Sequence, residues 1–85
     1  MYSVYILLSL KDKRTYVGYS QDVSIRFIQH CNGKVKSTSH RRPLKIIFTE
    51  EFETAREAKK RESYWKSGAG RRKLKELFEG DFKKD

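Results

Sequence analysis

Two β-rich runs separated by a short polar turn constrain this chain more than any other feature. Residues 2–20 read YSVYILLSLKDKRTYVGYS. In 2–9, Tyr2, Val4, Ile6 and Leu8 alternate with Ser3, Tyr5, Leu7 and Ser9, which is the two-residue period of a strand. KDKR at 11–14 is a polar turn and TYVGYS resumes the β-rich pattern, so an antiparallel hairpin is expected. If the loop holds four residues, 10–13, then Ser9 pairs with Arg14, Leu7 with Tyr16 and Tyr5 with Gly18. Opposed residues share a face, so Tyr5 and Tyr16 then project to the same side, with open space beside them at Gly18. A loop longer or shorter by one residue separates the rings onto opposite faces. Four of the five tyrosines fall in this hairpin. Phenylalanine packs as well and needs no partner for an oxygen, so the hydroxyls require a reason.

The 65 residues that follow Ser20 obey the same logic. Asp22 can cap a helix running to about Cys31 or Asn32, with Gly33 placed to stop it. GKVKSTSHRRP at 33–43 reads as a basic, flexible loop, and Pro43 leads into LKIIFTEEF, a third strand at 44–52. Thr54 and Glu57 make a capping box for a helix to about Lys66. SGAG at 67–70 is expected to break it, and RRKLKELFE to form a last helix at 71–79, with Leu74, Leu77 and Phe78 on one face. The order β-β-α-β-α-α describes a single α+β domain over 1–79, a small three-stranded antiparallel sheet flanked by helices. Residues 80–85 are expected to be a frayed tail. Trp65 or a phenylalanine near the C-terminus either closes the core or supplies a dimer contact.

Charge narrows the partner. The formal net charge is +9, and Arg56–Lys75 holds nine basic residues against two acids, Glu57 and Glu62. Such a surface attracts polyanions, phosphate backbones above all; the plainer reading is a solvated helix face that confers solubility. One cysteine, Cys31, excludes an internal disulfide, and no apolar stretch approaches a membrane span. A soluble, cytoplasmic protein is expected. Cys31 and His40 do not complete a zinc pattern.

Three features resist a purely structural reading. The helical period over 54–66 selects Ala55, Ala58, Glu62, Trp65 and then Ala69, which puts a carboxylate on a core-facing stripe. That costs free energy unless a cation, metal or donor network meets it; the plain alternative is a Glu at the stripe's edge paired with a lysine or arginine. In the first helix Val23, Phe27 and Ile28 supply packing, while Arg26 and His30, four apart, are neighbours on one face. Arginine suits a phosphate and histidine exchanges protons near neutrality, although such a pair is commonly just solvated. The third feature is the Tyr5, Tyr16, Gly18 set, for which plain aromatic packing is the alternative.

Together these residues resemble the GIY-YIG nuclease family, in particular its small stand-alone bacterial members of the UPF0213 type. Ser3-Val4-Tyr5 stands for the first motif and Tyr16-Val17-Gly18 for the second, followed by Arg26, His30 and Glu62 in the family's order. Ser3 replaces the first motif's glycine, and Val4 and Val17 replace its isoleucines. The likeness runs from Tyr2 to about Leu77 and includes STSHRRP. It implies an endonuclease that hydrolyses DNA phosphodiester bonds, in DNA repair or recombination, with one divalent metal held by Glu62, magnesium or else manganese. It implies further that Arg26 binds the scissile phosphate, that Tyr5 helps deprotonate the attacking water, and that Tyr16 and His30 position groups or relay protons. Lys34, Lys36, Arg41, Arg42, Lys66, Arg71 and Arg72 are then candidates for non-specific phosphate contacts. Two other classes stay open: a non-catalytic nucleic-acid-binding module of the same fold, and a basic structural or ribosome-associated protein. Nothing in the sequence reads bases, so specificity falls to DNA shape or to a protein partner.

Overall fold

Strand β1 (Tyr2–Ser9) is buried from Val4 through Ser9 because both of its faces are covered. In the computed structural model, which describes residues 1–78, it is the central strand of a three-stranded antiparallel sheet ordered β2-β1-β3. Its neighbours are β2 (Thr15–Ser20) and β3 (Leu44–Phe52). The full order is β-β-α-β-α-α, with helices α1 (Val23–Cys31), α2 (Ala55–Lys66) and α3 (Gly68–Leu77). This is the expected α+β architecture.

Alternation along β1 sorts the core into two clusters. Val4 and Ile6 point to one face with Val17, and Ala58, Trp65 and Leu74 from α2 and α3 close over them. Tyr2 and Tyr19 pack at the margin of this cluster. Tyr5 and Leu7 point to the other face with Leu44, where Tyr16, Val23 and Phe27 cover them. Trp65, 2% exposed, closes the core, and its indole N–H donates to Glu50 Oε1 at 2.8 Å. Truncating such a residue to alanine typically costs about 3–5 kcal/mol.

The structure departs from the sequence expectations in four places. SGAG is not a break before a helix at 71. Ser67 ends α2, its N–H bonding Tyr64 O, and at once caps α3, its Oγ accepting from Gly70 N at 3.2 Å. The helix can start there because Gly70 packs against the α2 backbone: a Cβ at 70 would lie 2.7 Å from Trp65 Cα and overlap the Tyr64 carbonyl oxygen. This change of direction also turns Ala69 outward, so Gly70 and Leu74 take the core positions that the continued α2 stripe assigned to it.

Ile28 and Leu77 are exposed (58% and 51%), outside the packed faces that Val23 and Phe27 form on α1 and Leu74 on α3. The segment 33–43 is more ordered than a flexible loop. It contains a 3-10 turn, Ser39–Arg41, and buries Val35 and Thr38. Buried Ser9 ties it down: its Oγ donates to Arg41 O at 2.6 Å and accepts from the amides of Lys11 and Asp12. The Arg42–Pro43 peptide bond is cis. The end of the last helix at 79 and the tail at 80–85 lie outside the described residues. No helix among those described is long and apolar enough to cross a membrane.

Candidate active site

Tyr5 stands opposite Gly18 in the β1–β2 ladder and Leu7 opposite Tyr16, which is the register of a four-residue loop. Ser9 N bonds Arg14 O at 2.9 Å to close that loop. The two tyrosine rings therefore share a face, with centroids 6.3 Å apart. The glycine is required by this approach. A Cβ at 18 would lie 2.7 Å from Tyr5 Oη and 3.1 Å from Tyr16 Cε1.

Helix α1 delivers the third ring. Asp22 caps it by accepting from Ile25 N, and Val23 and Phe27 pack its inner face on the sheet. His30, one turn beyond Phe27, is thereby carried fully inside. Its Nε2 lies 3.0 Å from Tyr5 Oη, and its Nδ1 lies 2.8 Å from Thr38 Oγ1. We assign the Nδ1–H tautomer, in which His30 Nδ1–H donates to Thr38 Oγ1 and leaves the Thr38 hydroxyl proton to the Val35 carbonyl, 3.4 Å away. Nε2 is left with its lone pair facing Tyr5, whose hydroxyl donates to it. The chain of donors thus runs Tyr5 to His30 to Thr38 to the backbone.

Electrostatics support the same protonation states. Burial lowers the His30 pKa below its usual 6.5, and the Arg26 guanidinium lowers it further, so the neutral ring is favoured. Burial pushes the Tyr5 hydroxyl up to about 12; nearby Tyr16 adds to this, while Arg26 acts in the opposite sense. Tyr5 is 1% exposed, whereas Tyr16 is only half-buried, its ring centroid 5.0 Å from that of His30. Tyr16 is the member of the group that meets solvent. Arg26 is half-buried beside them, its Nη1 donating to Gln29 Oε1 at 2.9 Å.

Glu62 is placed differently. It lies on α2, between the buried Ala58 and Trp65, and α2 packs on the sheet face opposite that of Tyr5. Its side chain is 19% exposed and its Oε1 lies 3.5 Å from Lys66 Nζ. The stripe-edge position with a lysine partner is thus the arrangement found. Among the described residues no three His, Cys, Asp or Glu side chains converge as a ready cation cage. One carboxylate in a loose, half-solvated ion pair fits magnesium, which binds through one or two carboxylates and completes its shell with phosphate oxygens and water.

The other basic candidates divide by environment. Lys34, Lys36, Lys66, Arg71 and Arg72 are exposed. Arg42 is exposed as well, but its Nε donates to Ser39 O at 2.8 Å. Arg41 is held inside by Asp12, 3.1 Å from its Nε, and by the Thr15 carbonyl. Sequence reasoning missed Thr38 and Ser9. Each is a small hydroxyl residue in a polar or alternating run, and only tertiary burial distinguishes it from its neighbours.

Comparison with known proteins identifies the family. A family model described as the GIY-YIG catalytic domain matches residues 1–75. A UPF0213 protein of Staphylococcus saprophyticus is 41% identical over 75 residues, covering 87% of this chain and 92% of that one. A UPF0213 protein of Staphylococcus epidermidis is 42% identical over 78 residues, covering 91% and 94%. The Bacillus subtilis UPF0213 protein YazA is 41% identical over 75 residues, 87% of this chain and 74% of its own. No solved structure matches at comparable significance. With a family match across nearly its whole length, this chain belongs to the GIY-YIG family, a nuclease-type family that acts on nucleic acid.

Proposed function

We propose that the protein is a metal-dependent endonuclease that hydrolyses DNA phosphodiester bonds at the Tyr5, Tyr16, His30 and Arg26 group. The observation that carries this reading is the buried His30 whose Nε2 lies 3.0 Å from Tyr5 Oη, while Arg26 stands beside both and favours the neutral ring. A phenol with its pKa near 12 is a poor base by itself. Coupled to His30 it can accept a proton from an attacking water while passing its own proton to Nε2, so no free phenolate is needed. Tyr16, at the solvent side, positions that water. Arg26 binds the scissile phosphate and stabilises the charge that develops on it. Glu62, carried by α2 on the other sheet face, is the carboxylate that would hold a metal. A metal bound there would supply charge neutralisation, and the proton path through Tyr5 and His30 is not routed through it. Lys34, Lys36, Lys66, Arg71 and Arg72, all exposed, make sequence-independent backbone contacts.

A second reading has its own observation. Tyr5 and His30 are almost wholly buried, which is also what a hydrogen-bonded core pair in a non-catalytic binding module looks like. Magnesium-dependent cleavage of branched, nicked and linear DNA by wild type and Glu62→Ala separates the two. Cleavage lost in the variant with binding retained supports the nuclease. If wild type binds but cuts none of these substrates, the binding module is preferred.

A further inference from the structure

On the face away from Tyr5, the hairpin turn, the 3-10 turn and α3 enclose a cleft of about 860 Å³. Arg14, His40, Arg41, Arg71 and Lys75 line it, and Leu74 lies at its base. Four fixed or mobile cations thus face one carboxylate, Asp12, and that carboxylate is already engaged by Arg41. Arg71 and Lys75 are one helical turn apart and exposed, so both point from the same side of α3. Among the described residues no carboxylate is paired with Arg14, Arg71 or Lys75. Concentrating like charges in a concavity is unfavourable until an anion neutralises them, and such a cleft focuses positive potential.

We propose that this cleft is a second phosphate-binding site, which grips the backbone of a nucleic-acid strand at a distance from the bond being acted on. The proposal rests on the nucleic-acid part of the functional reading and not on its catalytic part. Strand β2 links the two sites. Thr15 lines the cleft, and Tyr16, the next residue, faces the tyrosine–histidine group, because successive strand residues point to opposite faces. β2 is also an edge of the sheet, so a backbone can pass over it from one face to the other. Arg41 is the rigid member: Asp12 and the Thr15 carbonyl fix its guanidinium in the wall. Arg14, Arg71 and Lys75 are the adaptable ones, as suits contacts that ignore sequence.

The test measures binding of a fluorescein-labelled oligonucleotide, single-stranded and duplex, to the full chain from about 50 to 200 mM salt. The Arg71→Ala/Lys75→Ala variant is expected to bind about tenfold more weakly at the low end and to lower the log–log salt slope by about two. Arg56→Ala/Lys59→Ala, which removes the same charge from exposed positions of α2, should leave the slope unchanged. Equal loss in both variants means diffuse attraction and overturns the site, as does an unchanged slope in the cleft variant. If the double variant fails to fold by circular dichroism, Arg14→Ala alone should lower the slope by about one. Inorganic pyrophosphate, followed by the amide shifts of 12–15 and 71–75, distinguishes the phosphate's source. Shifts with pyrophosphate and none with the oligonucleotide would assign the cleft to a small polyphosphate and sink the strand reading. Cleavage that persists with an unchanged salt slope removes the cleft and spares the nuclease. Binding with the expected slope change but no cleavage does the reverse.

Discussion

The hydroxyl end of Tyr5 occupies the space that a side chain at Gly18 would fill, directly across the β1–β2 ladder. Gly18→Ala must therefore displace Tyr5 from His30, and overpacking of this kind costs about 1–3 kcal/mol. Urea unfolding should show that loss. Tyr5→Phe removes the atom nearest the new methyl group, so Gly18→Ala should cost less in that background. Simple additivity of the two substitutions would show that the contact is not the cause.

In the assigned tautomer Thr38 accepts the proton that His30 carries on Nδ1. Thr38→Val preserves shape and strands a buried N–H, which costs about 1–3 kcal/mol. Thr38→Ser keeps the hydroxyl and should recover most of that stability. Nitrogen chemical shifts of His30 give the readout that packing alone would not move: wild type and Thr38→Ser carry the Nδ1–H tautomer, and Thr38→Val shifts toward Nε2–H. An unchanged tautomer in the valine variant refutes the assignment.

The lowered pKa of His30 makes stability depend on acidity in a definite direction. The unfolded chain takes up a proton on this ring near pH 6.5, and the folded chain resists until lower pH. In that interval the unfolded state binds more protons, so stability falls as pH drops below about 6.5 and levels out once the folded ring is also charged. Chemical denaturation between neutral and mildly acidic pH should show this slope. It should flatten in His30→Gln, and an equal slope in both proteins would mean that other groups carry it.

Much of this arrangement was legible because it rests on local rules. Strand period and turn length placed Tyr5 against Gly18 and on the same face as Tyr16, and Asp22 and Thr54 marked the starts of two helices. The start of α3 was not legible. SGAG looks like a break until Gly70 is seen pressed on the α2 backbone, a contact between elements that no window of sequence reports. Thr38 was hidden for the same reason: among Ser37, Thr38 and Ser39 only the fold selects which hydroxyl faces His30. Arg41, a candidate phosphate contact, is held by Asp12 across 29 positions of sequence, a partner that no local window reports.

That Asp12–Arg41 pair gives a prediction at the acid end. Burial works against ionisation of Asp12, but the Arg14 amide, the Arg41 guanidinium and the Ser9 hydroxyl outweigh it and bring its pKa down to about 2. The folded state therefore keeps Asp12 charged where the unfolded chain has begun to protonate. Its contribution is complete above the ordinary aspartate pKa of about 4 and is lost as pH falls toward 2. Asp12→Asn should shrink the acid-induced loss of stability in that window and loosen the 39–41 turn, seen as faster amide exchange at Arg41. A variant with the wild-type acid profile would show that the pair adds nothing.

The proposed proton relay makes its own claim, because Tyr5 and His30 act as one unit in it. General base catalysis is worth about 10²–10⁴-fold, so Tyr5→Phe and His30→Gln should each lower DNA cleavage within that range. Since either change breaks the same proton path, the double variant should be little worse than the poorer single one. Tyr16→Phe, which touches the water from the solvent side, should multiply with both. Multiplicative losses for Tyr5 and His30 would mean that they serve cleavage separately, and the hydrogen bond between them would then be a feature of the core alone.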